Sequence, residues 1–215
     1  LIPISAVIGS ISIIMLLYVS TRGFSQQGIS YMLLIGIAVN AFASVGIAVL
    51  TFISSDLELR NLSFWLMGSF GGSEWVTIFP GIMIITLSIA WMINSSRELD
   101  ILQLGESEAS RLGIDVKKIK FKVILSSAIT VGISVSLSGM ISFVGLVIPH
   151  IVRLLGGVNH SYLLIGSALS GAALMSIADL NARFLIQPAE IPIGLITSAI
   201  GAPIFLWLVL RSRRK

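Results

Sequence analysis

Residues 98–122 read ELDILQLGESEASRLGIDVKKIKFK, a charged stretch set between long apolar runs. Its reading decides the fold, because nearly everything on either side of it is oily. The 215-residue chain is 55% hydrophobic and only 11% charged, with a mean hydropathy of +1.00. A soluble domain carries roughly 25% charged residues, so the composition excludes an ordinary soluble protein. Runs of about 20 apolar residues fit helices that cross a bilayer. Seven runs qualify as transmembrane helices: 2–20, 31–53, 76–93, 121–137, 143–155, 162–179 and 193–210. The fifth is short for a hydrocarbon core of about 30 Å and needs tilt, a backward extension into 138–142, or a re-entrant path. Transmembrane strands would alternate in polarity over about ten residues, and these runs are continuous. The expected fold is an all-α, polytopic membrane protein.

Charge gives an orientation. Arg22, Arg97, Arg111, Lys117, Lys118, Lys120, Lys122, Arg153, Arg211, Arg213, Arg214 and Lys215 fall on one side of the seven-helix layout, 12 of the 14 basic residues. Arg60 and Arg183 fall on the other. The positive-inside rule places the first side, and the C-terminus, in the cytoplasm. The net charge of +4 follows from this bias, so it points to lipid and orientation, with no nucleic-acid partner. Cysteine is absent, which excludes disulfides and thiolate metal sites. Residues 2–20 lack a basic n-region and do not read as a signal peptide. With no initiator methionine, the chain is expected to be the C-terminal part of something longer.

Within the charged stretch, Asp100 is placed to cap a short helix, and Leu104-Gly105 ends it. Residues 106–112 suit a second short helix, with acids in its first turn favoured by the helix dipole and Gly113 as its stop. Leu102, Leu104, Ala109 and Leu112 are expected to form a small exposed apolar face. A paired helix–Gly–helix is more structure than a plain interfacial loop needs. On the other side, 54–75 reads SSDLELRNLSFWLMGSFGGSEW. Its Phe64-Trp65-Leu66-Met67 run is too apolar for a solvated loop and suits an amphipathic helix at the interface, with Trp65 and Trp75 in the aromatic belt.

The spans carry little chemistry. Gly166, Ser167, Ser170 and Gly171, and likewise Gly194, Ser198 and Ala202, form small-residue stripes suited to close helix packing. Pro149 and Pro203 are expected to kink their helices. The ionisable groups expected within or at the ends of spans are His150, Asp179 and Glu190. No carboxylate pair lies deep in a span, which weighs against a proton-coupled carrier. Asn159-His160 reads as a cytoplasmic turn. No P-loop is present, so any ATP hydrolysis belongs to a partner, and no catalytic constellation supports a membrane-embedded enzyme.

Four segments then occur in one order: LQLGESEASRLGIDV, FVGLVIPHIVRLLGG, SALSGAALMSIADLNAR and PAEIPIGLITSAIGAPIFLWLV. Together they closely resemble the permease subunit of ATP-binding-cassette importers for iron-siderophores, haem and cobalamin. The resemblance runs from about Tyr31 to the end and implies a single transmembrane permease domain over 1–215. It further implies that the seven helices are the last seven of ten, in a homodimer or pseudo-dimer. The implied partners are an ABC-type ATPase subunit, an extracytoplasmic substrate-binding protein and a second permease copy in the bacterial inner membrane. No cofactor or metal site is implied. Segment 98–118 becomes the coupling element that docks on the ATPase, with Leu102, Leu104, Gly105, Glu106, Ala109, Leu112 and Gly113 as its residues. Arg183 matches an arginine that pairs with an acid on the binding protein. Arg60 is a second outer cation, suited to that protein or to a haem propionate. Ser142, Phe143, Val144 and Gly145 are the candidates for lining the outer substrate pathway. The chain departs from the family pattern at Gly139-Met140-Ile141-Ser142-Phe143-Val144-Gly145, where Gly-Pro-Ile-Gly-Phe-Val-Gly is common. It departs again at Leu163-Leu164-Ile165, where Leu-Leu-Pro is common. The 59–72 stretch, LRNLSFWLMGSFGG, looks most like haem-type members. Cobalamin import, and a carrier or channel working without ATP, are the alternatives.

Overall fold

A computed structural model describes residues 2–21, 28–71, 74–185 and 191–212. Among these, regular structure is entirely helical, in ten helices: α1 (Ile2–Thr21), α2 (Gly28–Ile53), α3 (Asp56–Met67), α4 (Trp75–Ile93), α5 (Ser96–Leu102), α6 (Glu106–Arg111), α7 (Val116–Ser138), α8 (Val144–Gly156), α9 (His160–Leu185) and α10 (Ile193–Ser212). Within the described residues, four segments are long and apolar enough to cross a membrane: Leu33–Ile53, Trp75–Ile93, Val116–Ser138 and His160–Leu185. Val144–Gly156 and Ile193–Leu208 are shorter apolar helices.

Two elements run longer than their apolar cores. The Lys-rich run 117–122 joins α7 because the Asp115 carboxylate accepts the Lys118 backbone N–H at 3.2 Å and starts the helix there. Both bonds to Lys118, backbone first, hold the Asp115 carboxyl below its ordinary range. Lys122 then stands over the Trp91 ring of α4 at 5.1 Å, the snorkelling geometry of a basic residue at an apolar edge. α9 passes Asp179 and continues to Leu185, with Arg183 Nε 3.0 Å from Asp179 Oδ2 one turn back.

The helices pack through small residues. α7 lies against both α1 and α4. At Gly81 of α4, an added Cβ would sit 2.6 Å from Leu137 Cδ1, so the missing side chain sets the α4–α7 distance. Gly166 of α9 admits Val152 of α8 in the same way, whereas Gly171 faces open space. Ile148, Val152 and Leu163 form one apolar cluster between α8 and α9. Ala178, Ala182 and Ile193 form a second between α9 and α10. Pro80, Pro149 and Pro203 lie inside α4, α8 and α10. His150 is exposed on the surface of the chain rather than buried, and Glu190 lies outside the described residues.

Candidate functional site

The charged stretch folds as two short helices, α5 and α6, with Gly105 between them at φ +107°. α6 ends in a Schellman motif: Ile114 N–H donates to the Ala109 carbonyl and Gly113 N–H to the Ser110 carbonyl, each at 3.0 Å. Gly113 takes φ +83°, the left-handed conformation that such a stop requires. Glu106 opens α6, where the dipole favours an acid, and its carboxylate meets Lys120 of α7 at 2.5 Å. Arg111 closes the helix and pairs with Glu108 at 3.1 Å. Beside α6 an open groove of about 520 Å³ is lined by Glu106, Ser110, Ile114 and Lys117 among others.

The apolar face expected on this element is divided. Leu104 and Leu112 are 66% and 62% exposed, and Leu102 is half-buried. Ala109 is 0% exposed, which corrects its expected place on the outer face. α6 lies against α5 and α7, and alanine is the residue small enough to fit between them. Asp100 is a second correction. It sits inside α5 rather than at its cap, and its Oδ1 accepts the backbone N–H of His160 at 2.8 Å and meets His160 Nδ1 at 2.7 Å. His160 is accordingly the first residue of α9 rather than part of a turn, with Asn159 as the helix cap. Nothing in a single sequence pairs residues 60 positions apart.

At the other end, Ser142, Phe143, Val144 and Gly145 form the entry to α8. Phe143 is the only described non-glycine residue at positive φ, +66°. Val144 N–H donates back to the Ser142 carbonyl at 2.9 Å, and Leu146 and Val147 N–H both reach the Phe143 carbonyl. A bulky residue in this tight turn is strained by about 1–3 kcal/mol. Packing holds it there: an added Cβ at Gly201 of α10 would sit 2.5 Å from Phe143 Cβ, and the Phe143 and Phe205 rings lie 6.5 Å apart. Ser142 and Gly145 are exposed, while Phe143 and Val144 are half-buried.

The 54–75 stretch forms α3 over Asp56–Met67, the helix expected there. Ser55 N–H and Oγ–H both donate to Glu58 Oε2, at 2.9 and 2.8 Å. These bonds, backbone first, hold the Glu58 carboxyl below its usual range. Arg60 is exposed with its guanidinium 5.9 Å from the Phe64 ring centre. The C-terminal end of α3 is fixed by backbone contact. An added Cβ at Gly139, just past α7, would lie 2.2 Å from the Trp65 carbonyl oxygen, and one at Gly194 of α10 would lie 2.0 Å from that of Met67. Ser69 N–H also donates to the Ser138 carbonyl at 2.9 Å. The ends of α3, α7 and α10 therefore meet at one junction. Arg183 pairs with Asp179 within α9, and its side chain is 49% exposed.

The chain is 42% identical over 212 residues to the hemin transport system permease protein HmuU of Yersinia pestis, covering 99% of this chain and 63% of that protein. It is 44% identical over 181 residues to the vitamin B12 import system permease protein BtuC of Vibrio parahaemolyticus, covering 84% of this chain and 54% of that one. The chain thus spans less than two thirds of the length of either relative. Its fold matches a solved inward-facing metal-chelate type ABC transporter with a TM-score of 0.82 and 34% identity, over 96% of this chain and 72% of the other. Residues 1–211 match the FecCD transport family, and the chain belongs to that family.

Proposed function

We propose that this chain forms the membrane-spanning part of a permease subunit in an ATP-driven, binding-protein-dependent importer of a metal chelate, with haem as the cargo. The observation that carries the reading is the α5–α6 element, a pair of short, internally braced helices with Leu104 and Leu112 turned outward. α1, α2, α4, α7, α8, α9 and α10 are the seven spans. α8 has 13 residues, about 20 Å of helix, and the segment 139–143 before it extends its reach across the bilayer. By the positive-inside rule α5 and α6 lie in the cytoplasm of a bacterial inner membrane, along with the C-terminus. There Leu102, Leu104, Gly105, Glu106, Leu112 and Gly113 meet a separate ATPase subunit, and Ala109 braces them from within. A rigid short helix transmits the closure of the ATPase, where a flexible loop would absorb it. Transport itself is then rigid-body rocking and needs no chemistry in the membrane.

A second copy of the chain completes the passage, and Ser142–Gly145 lines its outer part. Arg183 and Arg60 face the binding protein on the outer side. Haem is favoured by the 42% identity to a hemin permease over nearly the whole chain. Cobalamin is the second reading, favoured by the 44% identity to a vitamin B12 permease over a shorter span. The full-length permease should be reconstituted in proteoliposomes with its ATPase and binding protein, and offered labelled haem, ferric siderophore and cobalamin. ATP-dependent uptake of haem alone supports the first reading. Uptake of cobalamin alone replaces it with the second, and accumulation without ATP rejects the importer.

A further inference from the structure

The reading of α5–α6 as the ATPase contact raises the question of how motion entering that element reaches the spans. α6 has its tie to α7 through Glu106 and Lys120. α5 has a different recipient. Asp100 Oδ1 meets both the backbone N–H and Nδ1 of His160, at 2.8 and 2.7 Å. A carboxylate can only accept, so Nδ1 carries the proton of that bond. Gln103, one turn further along, donates from Nε2 to the Val158 carbonyl at 3.0 Å and packs 2.9 Å from Nδ1. Ser96, one turn before Asp100, accepts from Ser161 Oγ at 2.6 Å. One face of α5 is therefore fastened at three levels to the α8–α9 turn and the start of α9.

We propose that Asp100 is a positioning residue for transport, the joint through which movement of α5–α6 is passed to α9. The inference rests on the proposal that α5–α6 meets the ATPase. Asp100 is suited to the role because its negative charge lies at the N-terminus of α9, where the helix dipole favours it, and because bonds to a charged acceptor are shorter and stronger than neutral ones. The His160 and Asp100 side chains are 19% and 33% exposed, so water competes with the bond only in part. The two bonds, backbone first, hold the Asp100 carboxyl below its ordinary range, which keeps it charged at neutral pH. α9 is a suitable recipient. Its 26 residues make a rod of about 39 Å, packed on α8 near Leu163 and on α10 near Ala178 and Ala182, and it bears Arg183 at its far end. A displacement at His160 is thus delivered to the opposite side of the molecule.

The test uses the full transporter, with full-length permease, ATPase and binding protein in proteoliposomes. Asp100→Ala is expected to co-purify with the ATPase. Its stimulation of ATP hydrolysis by loaded binding protein should fall by about tenfold, within the usual range of coupling free energies, with uptake falling alongside. This chain contributes no native cysteine; with any cysteine elsewhere in the assembly replaced, Asp100→Cys with His160→Cys can be bridged by a short bis-methanethiosulfonate, and bridging should restore stimulation while reduction should abolish it again. Normal stimulation in Asp100→Ala overturns the proposal, as does a bridged pair that stays uncoupled. Loss of the ATPase from Asp100→Ala overturns it as well, because the residue would then serve docking rather than transmission. A wild-type permease that binds no ATPase instead rejects the underlying reading of α5–α6.

Discussion

Lys120 Nζ stands 2.5 Å from Glu106 Oε1, so the first residue of α6 is tied to the second turn of α7. The two side chains are 43% and 49% exposed, and an ion pair in that setting contributes at most about 1 kcal/mol to stability. Its value is geometric, fixing the angle at which α6 is presented. Lys120→Glu places two carboxylates together and should reduce ATPase co-purification while leaving the melting temperature of the detergent-solubilised permease nearly unchanged. The exchange Glu106→Lys with Lys120→Glu should recover co-purification. No recovery would show that the pair does not set the angle.

Ala109 and Leu112 separate packing from docking. Ala109→Leu adds volume at a site with no exposure, and overpacking of that kind costs about 1–3 kcal/mol. Faster hydrogen exchange across α6 is the expected sign. Leu112→Asp changes a side chain that is 62% exposed. It should leave hydrogen exchange alone and weaken ATPase binding.

The left-handed glycines differ in what surrounds them, and their alanine variants should differ accordingly. Gly105 has φ +107° and ψ 153° with open space around an added Cβ, so Gly105→Ala carries conformational strain alone, about 1–3 kcal/mol. Gly139 has φ +72° and the Trp65 carbonyl 2.2 Å from an added Cβ. Gly139→Ala should cost about 3 kcal/mol or more, in the range of severe single substitutions. Thermal melts in detergent, with tryptophan emission as a second probe, compare the two.

Glu58 provides a pH test. Its folded pKa is held down by Ser55, so its contribution is fully present above the unfolded value of about 4.3 and is lost as pH falls through the lowered folded value. Protection of the α3 amide protons, taken relative to the unstructured exchange rate at each pH, should therefore fall only on acidification below about pH 4. Glu58→Ala should show the faster exchange at neutral pH.

Arg183 already has a partner in Asp179, 3.0 Å away, so replacing it alters two charges at once. Asp179→Asn keeps the arginine and loosens it from that partner; Arg183→Gln removes it. If Arg183 meets the binding protein, association should slow in Arg183→Gln and keep its salt dependence in Asp179→Asn, since rim charges act mainly on the association rate. Stopped-flow association at two ionic strengths decides the matter. Equal rates in all three proteins would leave Arg183 as an anchor only.

Much of this architecture was legible because membrane spans are set by composition. The runs at 31–53 and 76–93 became α2 and α4 with little change, and Gly105 and Gly113 broke the charged stretch where their backbone freedom predicts. The helix starts at Val116 and His160 were harder to read, since each depends on a hydrogen bond and not on hydropathy. Ala109 misled because a helix of six residues is too short for periodicity to choose a face; packing against α5 and α7 chose it. Phe143 carried no sign of its left-handed backbone, because the notch that tolerates it lies at Gly201, on another helix. The Asp100–His160 bond was invisible for the same reason.

The junction of Gly139 and Gly194 with the end of α3 also bears on how the molecule is made. α3 is synthesised before α10, yet the carbonyl of Met67 is seated against Gly194, 127 residues later (194 − 67). Contacts so distant in sequence form late, because the intervening chain must first be ordered. On the reading of α3 as an interfacial helix, its capped first turn and its exposed Phe64 and Trp65 would hold it at the membrane surface until α10 is inserted.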